Sequence, residues 1–191
     1  MELISVRTLF KNAAEYLGKE ITLGGWVRNR RPSKQFGFIV LNDGTYFTPV
    51  QVVYNDTLSN FQEISKINIG AALIIKGTVV ETPNAQQPFE LQASEIVVEG
   101  ASTGDYPLQP KRHTMEFLRT ITHLRPRTNT FQAVFRVRSL AAMAIHQFFQ
   151  DRDFVYVHTP LITGSTKAGA LASKPPTYPV HEISKLNIKL Q

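Results

Sequence analysis

The sequence predicts a small five-stranded β-barrel followed by an α+β segment, and three features predict it. Runs with a two-residue period recur between Ile21 and Gly100, each bounded by turn residues. A single short helical stretch interrupts them, between the third run and the fourth. Beyond Pro110 the period lengthens, and from Phe131 to Phe149 it is that of a helix.

Residues Ser5 to Tyr16 predict an amphipathic helix with Ser5 as N-cap, an apolar stripe of Val6, Leu9, Phe10, Ala13 and Leu17, and Gly18 as its stop. The first strand alternates Ile21, Leu23, Gly25 and Val27 against Thr22, Gly24, Trp26 and Arg28. Arg30 to Lys34 breaks that pattern and is expected to turn the chain. The second strand sets Ile39 and Leu41 on one face and Phe36, Phe38 and Val40 on the other. Asn42-Asp43-Gly44 is a turn, because glycine accepts positive φ and Asn and Asp bond their own backbone. In the third strand, Pro49 to Tyr54, Val50 and Val52 alternate with Gln51 and Val53.

Leu58, Phe61 and Ile64 are helically spaced within Asp56 to Lys66. Gly70 then opens a fourth strand, AALIIKGTVVETP, and the loop ETPNAQQP leads into a fifth, FELQASEIVVEG. There Phe89 and Leu91 should face inward, Glu90 and Gln92 outward. Five strands with a helix between the third and fourth is the order of an oligonucleotide-binding (OB) barrel, which presents strands two and three and two loops to its ligand.

With Ile39 and Leu41 in the core, Phe36 and Phe38 occupy the open face beside Gln51, rimmed by cations from Arg28 to Lys34. A π-face for stacking, an amide for a base edge and cations for phosphate suit single-stranded nucleic acid. The alternative from the pattern alone is that both phenylalanines are ordinary core and the arginines a solvated turn.

At 191 residues, with 42% hydrophobic and 19% charged residues, the chain should be globular and soluble. It has no cysteine, which excludes disulfides and thiolate metal sites. No run reaches membrane-spanning length and the start lacks a signal peptide's apolar region, so a cytoplasmic protein without a membrane partner is expected. Residues 1–105 hold 9 Lys+Arg and 11 Asp+Glu (net −2), whereas residues 106–191 hold 12 and 4 (net +8). That asymmetry points to a polyanionic partner. The histidines at 113, 123, 146, 158 and 181 include no pair with the spacing of a helical metal site. No nucleophile motif, phosphate loop or carboxylate pair appears, so no catalytic residue and no metal ligand is assigned.

Ala101 to Pro110 is a linker by composition, with a domain boundary expected near Gly104. Residues 105–128 form a basic linker. From Lys111 to Arg138 it and the next segment carry seven cations against the single acid Glu116. A helix follows from Phe131 to Phe149, with Asn129 and Gln132 spaced as a capping box. Phe154 to Val157 alternate as the start of a strand ending at Pro160. Helix and strand together occupy residues 129–165, and residues 166–191 are expected to be poorly ordered.

GGWVRNRR, FGFIVLNDG and VQVV resemble the anticodon-binding barrel of the class II aminoacyl-tRNA synthetases of the aspartate, asparagine and lysine group. The run KRHTMEFLRTITHLRPRTNTFQAVFRVRS is similar to the linker and first catalytic-domain helix of the asparagine members, and FFQDRDFVYVHTPLITGS looks like their motif 1. The resemblance implies an OB barrel (residues 1–104) followed by an incomplete α+β segment from the start of a class II catalytic domain. It implies anticodon contacts at Arg31, Phe38, Gln51 and Glu90, beside the candidates Arg28 and Phe36 that the open face and its basic rim supply. It further implies asparagine tRNA as partner and a homodimer through motif 1, with Phe131, Phe135, Phe148 and Pro160 at the interface. Motifs 2 and 3, which hold ATP and Mg²⁺ in the full-length family, have no counterpart before Gln191. A truncated, catalytically inactive copy that needs no cofactor is therefore expected; the alternative is a stand-alone module for tRNA or single strands.

Overall fold

Ser5 begins the first helix as its side chain accepts from the Thr8 amide, and the following residues wind into α1 (Val6–Lys11). The helix breaks at Asn12 and resumes as α2 (Ala13–Tyr16), so the single helix expected is two short ones. Gly18 ends them at a φ of +72°, a conformation glycine adopts without strain. The structure, a computed structural model, describes residues 2–83 and 87–157.

Five strands follow: β1 (Glu20–Pro32), β2 (Phe36–Asn42), β3 (Val50–Asn55), β4 (Ala72–Glu81) and β5 (Phe89–Gly100). They close a barrel in the order β1-β2-β3-β5-β4, with α3 (Phe61–Ile64) between β3 and β4. All neighbours run antiparallel except β3 and β5, whose parallel ladder is only two pairs long, Val52↔Leu91 and Val53↔Gln92. Leu23, Ile39, Leu41, Val50, Val52, Leu73, Ile75 and Leu91 fill the interior, each at most 1% exposed. The two-residue period therefore assigns the inward face correctly on β2, β3 and the start of β5.

β1 corrects one boundary. Arg30, Arg31 and Pro32 do not turn the chain but stay in the strand, paired with Ile39, Phe38 and Gly37. Pairing of β1 with β4 stops at Trp26, so beyond it β1 has only β2 as neighbour. A proline at such an edge forfeits no ladder bond. A bulge at Val27/Asn29 further shifts the alternation by one residue.

After the barrel, Ala101 to Pro110 holds no helix or strand, and two short elements follow it. Thr114 caps α4 (Met115–Thr120), whose Leu118 is 3% exposed, and Arg125–Arg127 forms a 3₁₀ turn. The long helix α5 spans Asn129–Gln150. Its cap is Thr128, whose Oγ1 accepts from the Phe131 amide at 3.4 Å; the Gln132 side chain is not a box partner but donates to the Gly44 carbonyl at 3.1 Å. Residues Phe154 to Val157 carry no strand, contrary to the alternation read there, and Pro160 and residues 166–191 lie outside the described residues. By Cα proximity the described residues up to Ala142 form one compact unit, which includes residues 105–128, and those from Met143 on belong to a second.

Candidate nucleic-acid interface

Strand register arranges the outward residues of β1, β2, β3 and β5 as a grid. One row runs Arg31, Phe38, Val53 and Gln92. The next runs Asn29, Val40 and Gln51, with Glu90 beside Gln51 because the following residues, Val52 and Leu91, are paired. Residues opposed across a ladder share a face at about 5 Å. Arg31 and Phe38 are thus neighbours although seven positions separate them.

The grid floors an open cavity of about 540 Å³ lined by Arg30, Arg31, Phe38, Val40, Gln51, Gln87 and Glu90, among others. Four candidates from the sequence, Arg31, Phe38, Gln51 and Glu90, meet there. Gln51 Nε2 donates to Glu90 Oε2 at 3.4 Å, so a carboxylate and an amide stand side by side with spare acceptor and donor capacity. Phe36 is outside the cavity but meets Phe38 edge-on, with ring centroids 5.6 Å apart and planes at 87°. Phe36 itself is 45% exposed, so the two rings form a T-shaped pair on the outer side of β2.

The other cations divide. Arg30 lines the cavity, but its Nη1 donates to the Ser65 carbonyl at 2.6 Å, which ties it to the segment after α3. Arg28 is not on this face. As the residue inside the β1 bulge it turns into a second, larger cavity of about 1070 Å³ with Trp26, Tyr106, Arg127 and Arg136. Burial lowers the Arg28 guanidinium below its ordinary value, an effect that Tyr106 partly offsets. In that cavity the Arg127 guanidinium stacks 4.6 Å from the centroid of Trp26 and donates to the Tyr106 hydroxyl at 3.2 Å. No signal in the sequence marks this contact, because it joins residues 101 positions apart.

Gln87 is among the cavity residues that the sequence does not mark, with Thr48, Pro49 and Thr82, since it lies in what reads as an ordinary loop. On α5 the interface candidates separate too. Phe131 is 8% exposed, packed under Arg125 and against Phe135, whereas Phe148 is half exposed.

Comparison with known proteins gives matches to two family models. A model of the OB-fold nucleic acid binding domain matches residues 21–99, and one of the class II tRNA synthetases (D, K and N) matches residues 114–182. The asparagine–tRNA ligase of Acetivibrio thermocellus is 61% identical over 171 residues, 89% of this chain and 37% of that protein. The corresponding ligase of Bacillus anthracis is 56% identical over 170 residues, again 89% and 37%. The asparaginyl-tRNA synthetase of Pyrococcus horikoshii, solved with asparaginyl-adenylate, shares the fold at a TM-score of 0.75 and 22% identity, over 86% of this chain and 38% of that one. The chain therefore spans a little over a third of the length of the curated relatives it matches.

Proposed function

This chain belongs to the asparaginyl-tRNA synthetases of class II, and from that premise we propose that its barrel reads the anticodon of asparagine tRNA. The observation that carries this reading is the convergence of Arg31, Phe38, Gln51 and Glu90 on one open cavity. A base splayed out of the anticodon loop stacks on Phe38. Gln51 donates to its edge and Glu90 accepts from it, which selects a base offering one acceptor beside one N–H. Arg31, exposed at the end of the Phe38 row, meets a loop phosphate.

In this reading residues 1–104 are the anticodon-binding domain, residues 105–128 the linker, and residues 129–165 the start of a catalytic domain that relatives extend over the rest of their length. Asparagine activation with ATP and Mg²⁺ belongs to that whole protein. The described residues include no group of three His, Cys, Asp or Glu able to hold a metal ion, so no step of that chemistry is assigned to them. The apolar outer face of α5 is the proposed homodimer surface, with Phe148 on it and Phe131 and Phe135 supporting it from within the chain. No described helix is long and apolar enough to cross a membrane; a cytoplasmic location is proposed from the relatives alone.

The test is a titration against asparagine tRNA and the same tRNA with its middle anticodon base changed, repeated on Phe38→Ala and Arg31→Gln. Phe38→Ala should weaken cognate binding by about 1–3 kcal/mol, the value of one base stack. Arg31→Gln should weaken both complexes alike and lower the salt dependence by roughly one phosphate contact. Equal binding of both tRNAs by the unmodified chain, indifferent to Phe38, would remove anticodon reading from the barrel.

A further inference from the structure

The parallel seam between β3 and β5 ends early. Continued by two residues toward the start of both strands, the ladder would pair Val50 with Phe89, but the pairs formed are Val52↔Leu91 and Val53↔Gln92; on its other edge Phe89 pairs with Glu81 of β4. In a parallel ladder a residue opposite position i donates to the carbonyl of i−1 and accepts from the amide of i+1. Opposite Val50, those two groups are the Pro49 carbonyl and the Gln51 amide. Both are satisfied by one side chain: Gln87 Nε2 donates to the Pro49 carbonyl at 2.6 Å, and Gln87 Oε1 accepts from the Gln51 amide at 3.2 Å. The carboxamide of Gln87 takes the place of the missing peptide group.

Gln87 is itself held. Thr82 Oγ1 donates to the Gln87 carbonyl at 2.8 Å, and the Thr82 amide donates to the Pro88 carbonyl at 2.9 Å. Gln87 and Pro88 are thereby tied to Thr82, and Gln87 is joined to β3 at the residue whose side chain meets Glu90. Gln87 also lines the cavity that holds Phe38, Gln51 and Glu90.

We propose that Gln87 is a positioning residue for base discrimination: its side-chain amide extends the β3–β5 seam and so sets the spacing of Gln51 from Glu90. This rests on the anticodon-reading function proposed above. Gln87 need not touch the base; it fixes the backbone of a residue that does. With the carboxamide removed, Gln51 and Glu90 lose their common frame, and a base offering the wrong edge meets a pair that can adjust to it.

The experiment compares the full chain with Gln87→Ala and Gln87→Glu, titrating each against asparagine tRNA and the middle-base variant and recording thermal unfolding. Gln87→Glu keeps the length and the acceptor for the Gln51 amide but turns the donor toward Pro49 into a second acceptor. The expected result is a roughly tenfold loss in the ratio of the two affinities, the scale of one good base-edge contact. That loss should appear in whichever variant keeps the unfolding temperature of the parent, and Phe38→Ala should weaken binding in parallel. An unchanged ratio in either folded variant, or an equal weakening toward both tRNAs, overturns the role of Gln87 while leaving anticodon reading intact if Phe38→Ala still loses binding. A parent chain with no discrimination, unaffected by Phe38→Ala, removes both proposals together.

Discussion

Gly37 lies between the two outward phenylalanines, Phe36 and Phe38, directly across the ladder from Tyr54. The Tyr54 ring fills the space that a side chain on Gly37 would need: a Cβ there would overlap the ring and its hydroxyl. Tyr54 is 1% exposed, and its hydroxyl is buried with no hydrogen-bond partner. Gly37→Ala should therefore destabilise the barrel by about 1–3 kcal/mol through overpacking, measured by urea unfolding. Tyr54→Phe keeps the ring and deletes an unpaired polar group, so its unfolding temperature should equal or exceed the parent's. A clear fall would mean that the hydroxyl has a partner the structure does not show. At this scale much of the site was legible, because alternation alone turns Phe36, Phe38, Gln51 and Glu90 away from Ile39, Leu41, Val52 and Leu91. Arg28 was misread for an equally local reason: the bulge beside it changes the alternation, and nothing in residue type announces a bulge.

Among the elements, the turn Asn42-Asp43-Gly44 does more than reverse the chain. The Asp43 carboxylate accepts from the Thr45 amide at 2.9 Å and, through its other oxygen, from the Val6 amide at 2.8 Å. One side chain thus closes the turn after β2 and caps the Val6 amide that starts α1, where a negative charge is favoured. Val6 and Leu9, both fully buried, are fixed against the barrel by that cap. Asp43→Ala should cost about 1–2 kcal/mol in chemical denaturation. Asp43→Asn, which keeps one acceptor, should recover part of it; equal losses for the two would argue that charge rather than acceptor geometry is what matters. The sequence shows the turn and the Ser5 cap separately, since each has a local signature. Their union through Asp43 spans 37 positions and leaves no periodic trace. For the same reason the cap of α5 was set one residue late: Asn129 and Gln132 have the spacing of a box, but Gln132 is drawn to the Gly44 carbonyl.

At the scale of the whole molecule, two surface properties predict opposite responses to salt. The cations concentrated after residue 105 would make the proposed association with tRNA electrostatic, so it should weaken steeply as salt rises. The outer face of α5 is apolar instead: Val137, Leu140, Met143, Ile145 and Phe148 are each 50% exposed or more. Scattered exposed apolar residues are ordinary, but this many along one helix mark a surface that a partner covers. A second copy of the chain is the partner proposed for it, and burying apolar surface between copies should strengthen with a kosmotropic salt such as sulfate. Light scattering should therefore show self-association that grows with protein concentration and with sulfate. The double variant Val137→Glu, Leu140→Glu should abolish it, since two carboxylates per chain would have to be buried unpaired. These side chains are 65% and 71% exposed in the single chain, so urea stability of the monomer should barely change. A parent that stays monomeric at every concentration, or a double variant that associates as strongly, would show that α5 is not where copies meet. Association that fell with sulfate would instead assign it to the cations.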